Sequence, residues 1–572
     1  MNTMKSRRAY ALFGLLATLF GMAVGHLVAS VMRPDSSPVL AVGSAVIDNT
    51  PASIKEWAIK QFESDGFSIG PFDFAARNYD KVILVGSVLV GVLVLAAVAG
   101  ILTRKRFEIG GGMLLALVLV AGVAAVTRSG AGFLDVVPSF FTAVAGVAAL
   151  WVLHRTATGQ SLDPRAGISD HSGAAGRGNL PSGMVDVSGG TTGPVPSGSD
   201  DDSVSHDTGV VSTGGPNARR RTVLITSGVL AGAAIVAGSA GRWIGNLRAR
   251  AEDVTLPSPA AGETAPALPE GLEGRVDGIT PLRISNADFY RVDTRLDVPV
   301  VDSDGWSLKV DGDVDNELEI SFDELLDMPM VERDITLTCV SNSVGGKYVG
   351  GARWLGVPLQ DVLDRAGVGS QADQILSTDF DGMTISTPLD LATDGRDALI
   401  AVGMNGEQLP REHGFPVRMV IPGLYGFISA TKWLTKLTLT TYAEQEAYWT
   451  KKGWGTDTPI KPSTRIDTPR VLSTVTGDEL VVGGVAWAQN DGGVTKVQVQ
   501  VDGGAWMDAE VGADVNNVYW RQWFLVVKGL KSGNHRVAAR CIDGSGGTQT
   551  AARAEPFPEG ASGIHTVQFT VG

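Results

Sequence analysis

The chain has 572 residues, a formal net charge of −14 and 44% hydrophobic residues. That length leaves room for several domains, and the negative balance excludes nucleic acid as a partner, because phosphate binding needs a basic face. Two cysteines, Cys339 and Cys541, exclude a disulfide scaffold, a four-cysteine iron–sulfur site and a Cys-x-x-Cys-His haem attachment.

Residues 9–31 form an apolar run behind Lys5, Arg7 and Arg8, longer than the core of a typical signal peptide. Similar runs follow at 82–102, 109–126 and 134–153, with Arg104, Lys105 and Arg106 between the second and third and with His154 and Arg155 closing the fourth. A buried core helix rarely sustains about 20 apolar residues, so residues 1–155 read as a membrane region with four transmembrane helices. His26 and His154 are the histidines in or beside these spans; anchoring or partner docking is the expected role of the four helices rather than haem binding.

Residues 156–218 are rich in Gly, Ser, Asp and Pro and poor in large apolar side chains. Such a segment buries too little surface to offset its ordering entropy and reads as a disordered linker. Residues 219–250 hold Arg219, Arg220 and Arg221 followed by a fifth apolar stretch, 222–240, whose flank reads equally as an internal stretch resembling a twin-arginine export signal and as a plain basic flank on a membrane helix. With the N-terminus inside, five crossings leave Arg104–Arg106 and Arg219–Arg221 cytoplasmic, as the positive-inside rule requires. The expected location is therefore the cytoplasmic membrane, multi-pass, with the domain after Arg250 extracytoplasmic. Residues 251–276 read as an Ala/Pro-rich tether.

From 277 to 455 the composition is that of a mixed α+β soluble domain. Short strands are expected at 306–310 and 318–320, then a capped helix at 321–326 with Ser321 as N-cap and Glu324 three residues on. Next comes ITLTCVSNSVGGKYVGGARWLGVPLQDVL (335–363), in which Ile335, Leu337 and Cys339 share one strand face. The strand delivers a lone cysteine to a glycine-rich loop, where a thiolate serves as a soft metal ligand or a nucleophile. Residues 456–572 change character again. Alternating strands at 480–487, 494–501 and 535–542, separated by Asp-Gly and Gly-Gly turns, read as an all-β sandwich with Cys541 in its core.

Cys-x-x-Asn at 339–342, GARWLGVPLQDVL and MNGEQLPREHGFPVRMVIPGLYGFISATKW together resemble the sulfite-oxidase family of molybdenum enzymes, from about Ile284 to the C-terminus. The resemblance implies a molybdopterin domain followed by an immunoglobulin-like dimerisation domain, and hence a homodimer. It implies molybdenum held by a pterin dithiolene and the thiolate of Cys339, with Asn342 orienting the thiolate or the oxo group. A pterin with its phosphate needs cationic anchors and polar donors. His413, Arg418, Thr431 and Lys432 are the implied contacts, joined by Phe289, Tyr290 and Arg291 at the domain start and by Ser377 and Asp379.

The family pattern breaks at the substrate. The two arginines expected after the cysteine are absent from Cys339-Val340-Ser341-Asn342-Ser343-Val344, an arginine-asparagine-histidine stretch stands as Val292-Asp293-Thr294, and the active-site tyrosine aligns with Trp454. Sulfite is therefore not the expected substrate. The expectation is a membrane-anchored molybdopterin oxidoreductase that exchanges an oxygen atom with a small molecule such as an S-oxide, its electron transfer served by a separate cytochrome or quinone-linked protein. The rivals are a non-catalytic extracytoplasmic binding or assembly module on the same fold, and a cysteine hydrolase with His413 as base.

Overall fold

The computed structural model describes residues 6–50, 67–69, 72–74, 79–128, 131–160, 216–248, 254–477 and 479–572. Most of the segment read as a linker lies outside these. The described residues divide into two compact units, one holding the N-terminal helices and the other residues 246–572 with short N-terminal pieces.

The first unit is helical: α1 (Arg7–Val31), the start of α2 (Pro38–Asn49), most of α3 (Tyr79–Thr103), α4 (Phe107–Val126), α5 (Val137–Thr158) and most of α6 (Pro216–Arg248). Among the described residues five of its helices are long and apolar enough to cross a membrane, at the five sites expected from the sequence; α2 is a shorter apolar helix that the pattern did not suggest. Small residues set the helix spacing. A side chain on Gly14 would strike the Ala96 carbonyl, and one on Gly21 would lie 2.7 Å from the Thr142 carbonyl. His26 packs at the α1–α6 contact, against Gly241, and His154 meets the Tyr10 hydroxyl at 3.2 Å.

In the second unit a two-stranded hairpin, β1 (Phe67–Ile69) and β2 (Phe72–Phe74), precedes the main domain. Two five-stranded sheets build that domain. One runs β10 (Glu407–Gln408), β9 (Leu399–Met404), β6 (Val349–Pro358), β5 (Val331–Thr338), with β11 (Arg418–Val420) also on β9. The other runs β4 (Leu318–Ser321), β3 (Ser307–Gly312), β12 (Leu434–Thr440), β7 (Gln374–Asp379), β8 (Thr384–Pro388). Short helices join them: α7 (Phe322–Leu326), capped by the expected Ser321–Glu324 box, α8 (Leu359–Ala366), α9 (Leu389–Ala392) and α10 (Gly426–Ser429). Both faces of β5 are covered, so Thr336 and Thr338 are buried like Ile335 and Leu337.

Two further sheets share one apolar core. One runs β13 (Ser463–Thr468), β15 (Glu479–Trp487), β19 (Arg521–Lys528), β18 (Glu510–Val511); the other runs β14 (Thr474–Val475), β21 (His565–Val571), β20 (Gly533–Asp543), β16 (Val494–Val501), β17 (Met507–Asp508). Cys541 is fully buried in this core. The two-sheet region also reaches the free edge of β5. Thr336 N donates to Val518 O at 3.1 Å, Trp520 N to Thr336 Oγ1 at 2.9 Å, and Gln489 Nε2 to Thr336 O at 2.6 Å.

Residues 254–276, expected as a tether, instead lie along the domain. Ala260 N donates to Met330 O at 2.8 Å and Glu332 N to Glu263 O at 2.9 Å, while Arg333 pairs with Glu263 at 2.6 Å. The backbone groups of this Pro-rich stretch find partners on the strand leading to β5, which a composition reading cannot detect.

Candidate active site

Cys339 is the first residue past β5, in the hairpin loop that turns into β6. Its N–H donates to Tyr348 O at 3.0 Å, and its carbonyl accepts from Asn342 N at 3.0 Å, so the loop folds back over the strand end. The sulfur lies 3.0 Å from Ser341 Oγ. Burial pushes the thiol above its ordinary range, against the pull of Ser341 and of the Lys432 charge. A thiol so placed gives up its proton when a metal binds it.

One pocket gathers Cys339 with Phe289, Tyr290, Asp379, His413, Arg418, Thr431 and Lys432. Strand β11 carries Arg418 into it, where the guanidinium lies 5.0 Å from the Trp354 ring centroid and Nη1 donates to His413 O at 2.9 Å. Arg418 Nε is buried without a hydrogen-bond partner, and burial holds this guanidinium down to about 10. His413 ends a short helical turn; its Nε2 lies 2.9 Å from Asn286 O, so that nitrogen carries the proton. Burial and the Lys432 charge hold His413 down to about 3, a neutral imidazole. Lys432 Nζ donates to Asp293 Oδ2 at 2.8 Å and to Glu412 O at 3.1 Å, and burial lowers it to about 8. Thr431 Oγ1 lies 2.5 Å from Ser377 Oγ.

Three expected site residues do not line this pocket. Asn342 Oδ1 accepts from Tyr348 N at 2.9 Å, so the amide shapes the cysteine loop rather than facing the sulfur. Arg291 pairs with Asp293 at 2.7 Å and donates to Asp297 O at 2.8 Å. Ser377 donates to Ile385 O at 3.0 Å and acts through Thr431. Arg291 and Ser377 each contact a residue that lines the pocket, Asp293 and Thr431, whereas Asn342 holds the loop that carries Cys339.

The expectation of a pocket lacking an extra arginine also needs correction. Arg295, the residue after Val292-Asp293-Thr294, lines the pocket, as do Trp433, Trp449 and Trp454. Arg295 Nη2 donates to Asp379 Oδ2 at 2.8 Å, and Nη1 donates to Asp381. The signal available in the sequence was its place just before the 296–299 segment, which carries Pro299.

The donor set fits a molybdopterin. A soft sulfur faces the same space as three cations, one of them with a buried guanidinium N–H that has no acceptor, and aromatic walls. An anion-bearing heterocycle satisfies each of these.

Residues 295–449 match the family described as oxidoreductase molybdopterin binding domain. Rattus norvegicus mitochondrial sulfite oxidase is 32% identical over 293 residues, covering 43% of this chain and 53% of the rat protein. Solanum lycopersicum NADH nitrate reductase is 32% identical over 179 residues, covering 27% of this chain and 19% of the tomato protein. The chain spans about half the length of the sulfite oxidases it matches. Among solved structures, the sulfane dehydrogenase SoxCD from Paracoccus pantotrophus is 22% identical, with a TM-score of 0.44 over 52% of this chain and 82% of that one. The chain therefore carries a molybdopterin-binding oxidoreductase domain similar to those of sulfite oxidases and nitrate reductases, and the cofactor this implies is Mo-molybdopterin.

Proposed function

We propose that this protein is a membrane-anchored oxidoreductase that moves an oxygen atom to or from a small substrate at an extracytoplasmic molybdenum site. The observation that carries the reading is the buried Cys339 sulfur opening on a pocket that also holds His413, Arg418 and Lys432. The cofactor, when bound, supplies two-electron oxygen-atom exchange. Cys339 is the protein's metal ligand. Arg418 and Lys432 would hold the pterin phosphate, and neutral His413 would offer an acceptor nitrogen to the heterocycle. Ser377 orients Thr431 from behind, Asp293 holds Lys432 with the help of Arg291, and Asn342 fixes the cysteine loop.

Five apolar helices support the anchor, and Arg104–Arg106 with Arg219–Arg221 support a cytoplasmic N-terminus and an exported catalytic domain. A separate cytochrome or quinone-linked protein would exchange the electrons. The two-sheet C-terminal region supports an immunoglobulin-like dimerisation domain.

Full-length protein, purified in detergent from a host that makes the cofactor, should contain near-stoichiometric molybdenum and pterin. Cys339→Ser should change the metal's absorption and paramagnetic signature while leaving the pterin bound. Absence of metal from the wild-type protein would sink the enzyme reading and leave a binding module on a membrane anchor.

A further inference from the structure

The pocket combines charge pairing with aromatic walls in a way that bears on what it admits. Arg295 is the guanidinium lining it beyond the Arg418–Lys432 pair, and it is clamped between two carboxylates. Its side chain is 12% exposed, those of Asp379 and Asp381 5% and 4%. Asp379 is itself fixed by the β7–β8 hairpin, its Oδ1 accepting from Asp381 N at 2.8 Å and from Met383 N at 2.9 Å. Phe380, between the two aspartates, lies under the guanidinium at 4.9 Å. Arg295 is thus held on one planar face by Phe380 and at both terminal nitrogens by the aspartates.

The remaining cations differ in their partners. Lys432 and Arg291 share Asp293, and Arg418 is the guanidinium with an unmatched buried N–H. A bound cofactor's phosphate would take up Arg418 and Lys432. An inorganic oxyanion entering beside it would meet Arg295 already carrying two negative partners, and a buried charge without a partner is costly. Phe427, Trp449 and Trp454 on the walls favour an apolar body instead.

We propose that Asp379 and Asp381 set substrate charge by outweighing Arg295, so that the pocket takes neutral heteroatom oxides or their reduced forms carrying an apolar or aromatic group, and refuses inorganic oxyanions. The inference rests on the oxidoreductase reading above and assigns Arg295, Asp379 and Asp381 as its specificity determinants.

The test is equilibrium dialysis of full-length, molybdenum-loaded protein against radiolabelled sulfate and, separately, methyl phenyl sulfoxide at constant ionic strength. Wild type should saturate with the sulfoxide and not with sulfate. Asp381→Asn and Asp379→Asn each remove one negative charge from the cluster, which leaves Arg295 balanced rather than outweighed, and should bind sulfate at least about tenfold more tightly than wild type, a gain of roughly 1.4 kcal/mol. The double variant R295M/D381N should lose that gain. Saturable sulfate binding by wild type at the variants' affinity overturns the proposal, and so does a folded, loaded D379N or D381N without the gain. The wild-type titration decides by itself should neither single variant fold. Metal content measured on the same samples separates the two readings: wild type without molybdenum refutes the oxidoreductase reading, whereas sulfate binding by loaded wild type refutes only the charge assignment.

Discussion

Gly351→Ala tests whether the C-terminal sheets brace the cysteine strand. Gly351 lies on β6 opposite Thr336 of β5. A Cβ there would sit 2.6 Å from Tyr519 Cζ and 2.7 Å from both the Tyr519 hydroxyl and Trp520 Nε1. Carbon contacts settle near about 3.5–4.0 Å, so the rings must retreat by roughly 1 Å. They have little freedom: both are buried, and both donate to Leu282 O, at 2.9 and 2.7 Å. Overpacking costs about 1–3 kcal/mol, and weakening one or both bonds adds about 0.5–1.5 kcal/mol each. A loss of about 2–4 kcal/mol corresponds to a fall of roughly 3–6 °C in Tm for a unit of this size. Thermal unfolding of the detergent-solubilised full chain, followed by tryptophan fluorescence, gives the number. Gly274→Ala is the control, since nothing lies within 4 Å of the added carbon, and it should melt within about 1 °C of wild type. Hydrogen exchange at Thr336 and Thr338 should rise in G351A, and its molybdenum content should fall. A G351A protein melting with wild type would show that the two regions yield to each other freely, and the bracing argument would fail.

Asn342→Ala leaves the Tyr348 N–H without its acceptor and should cost about 1–2 kcal/mol in stability; an unchanged Tm with altered turnover would instead make Asn342 catalytic. His565 gives a pH dependence. Its Nδ1 accepts from Ile466 N at 2.9 Å, and burial, with Arg465, holds it down to about 4. The unfolded chain therefore takes up this proton first. Its contribution is complete above about pH 6.5 and is lost as pH falls toward 4, by up to roughly 3 kcal/mol. His565→Asn keeps an acceptor and should flatten the fall of Tm over that window; an unchanged slope would assign the acid sensitivity elsewhere. Lys432→Met should lower pterin retention on gel filtration at least about tenfold, and full retention would remove Lys432 from the phosphate site.

Much of the site was readable from local sequence. The period-two pattern ending at Cys339, followed by glycines, gave a strand and loop for the sulfur, and the 404–433 motif supplied His413, Arg418, Thr431 and Lys432 in chain order. Arg295 was not readable as a pocket residue, because its partner Asp379 lies 84 positions away and its pairing depends on how a hairpin turn packs. Asn342, beside the cysteine in sequence, looked catalytic only because spacing is silent about which way an amide points.

Sequence by itself determined what depends on composition and short periods: five apolar helices, a capped turn at Ser321, alternating strands, and a lone cysteine at a strand end. Hydrophobic burial and backbone pairing read those patterns directly. Only the tertiary structure decided that Asp379 and Asp381 clamp Arg295, that Gln489 and Trp520 close the edge of β5, and that residues 254–276 lie along the domain. These are contacts between distant segments, fixed by close packing and by the need to satisfy every buried polar group, and no local pattern encodes them.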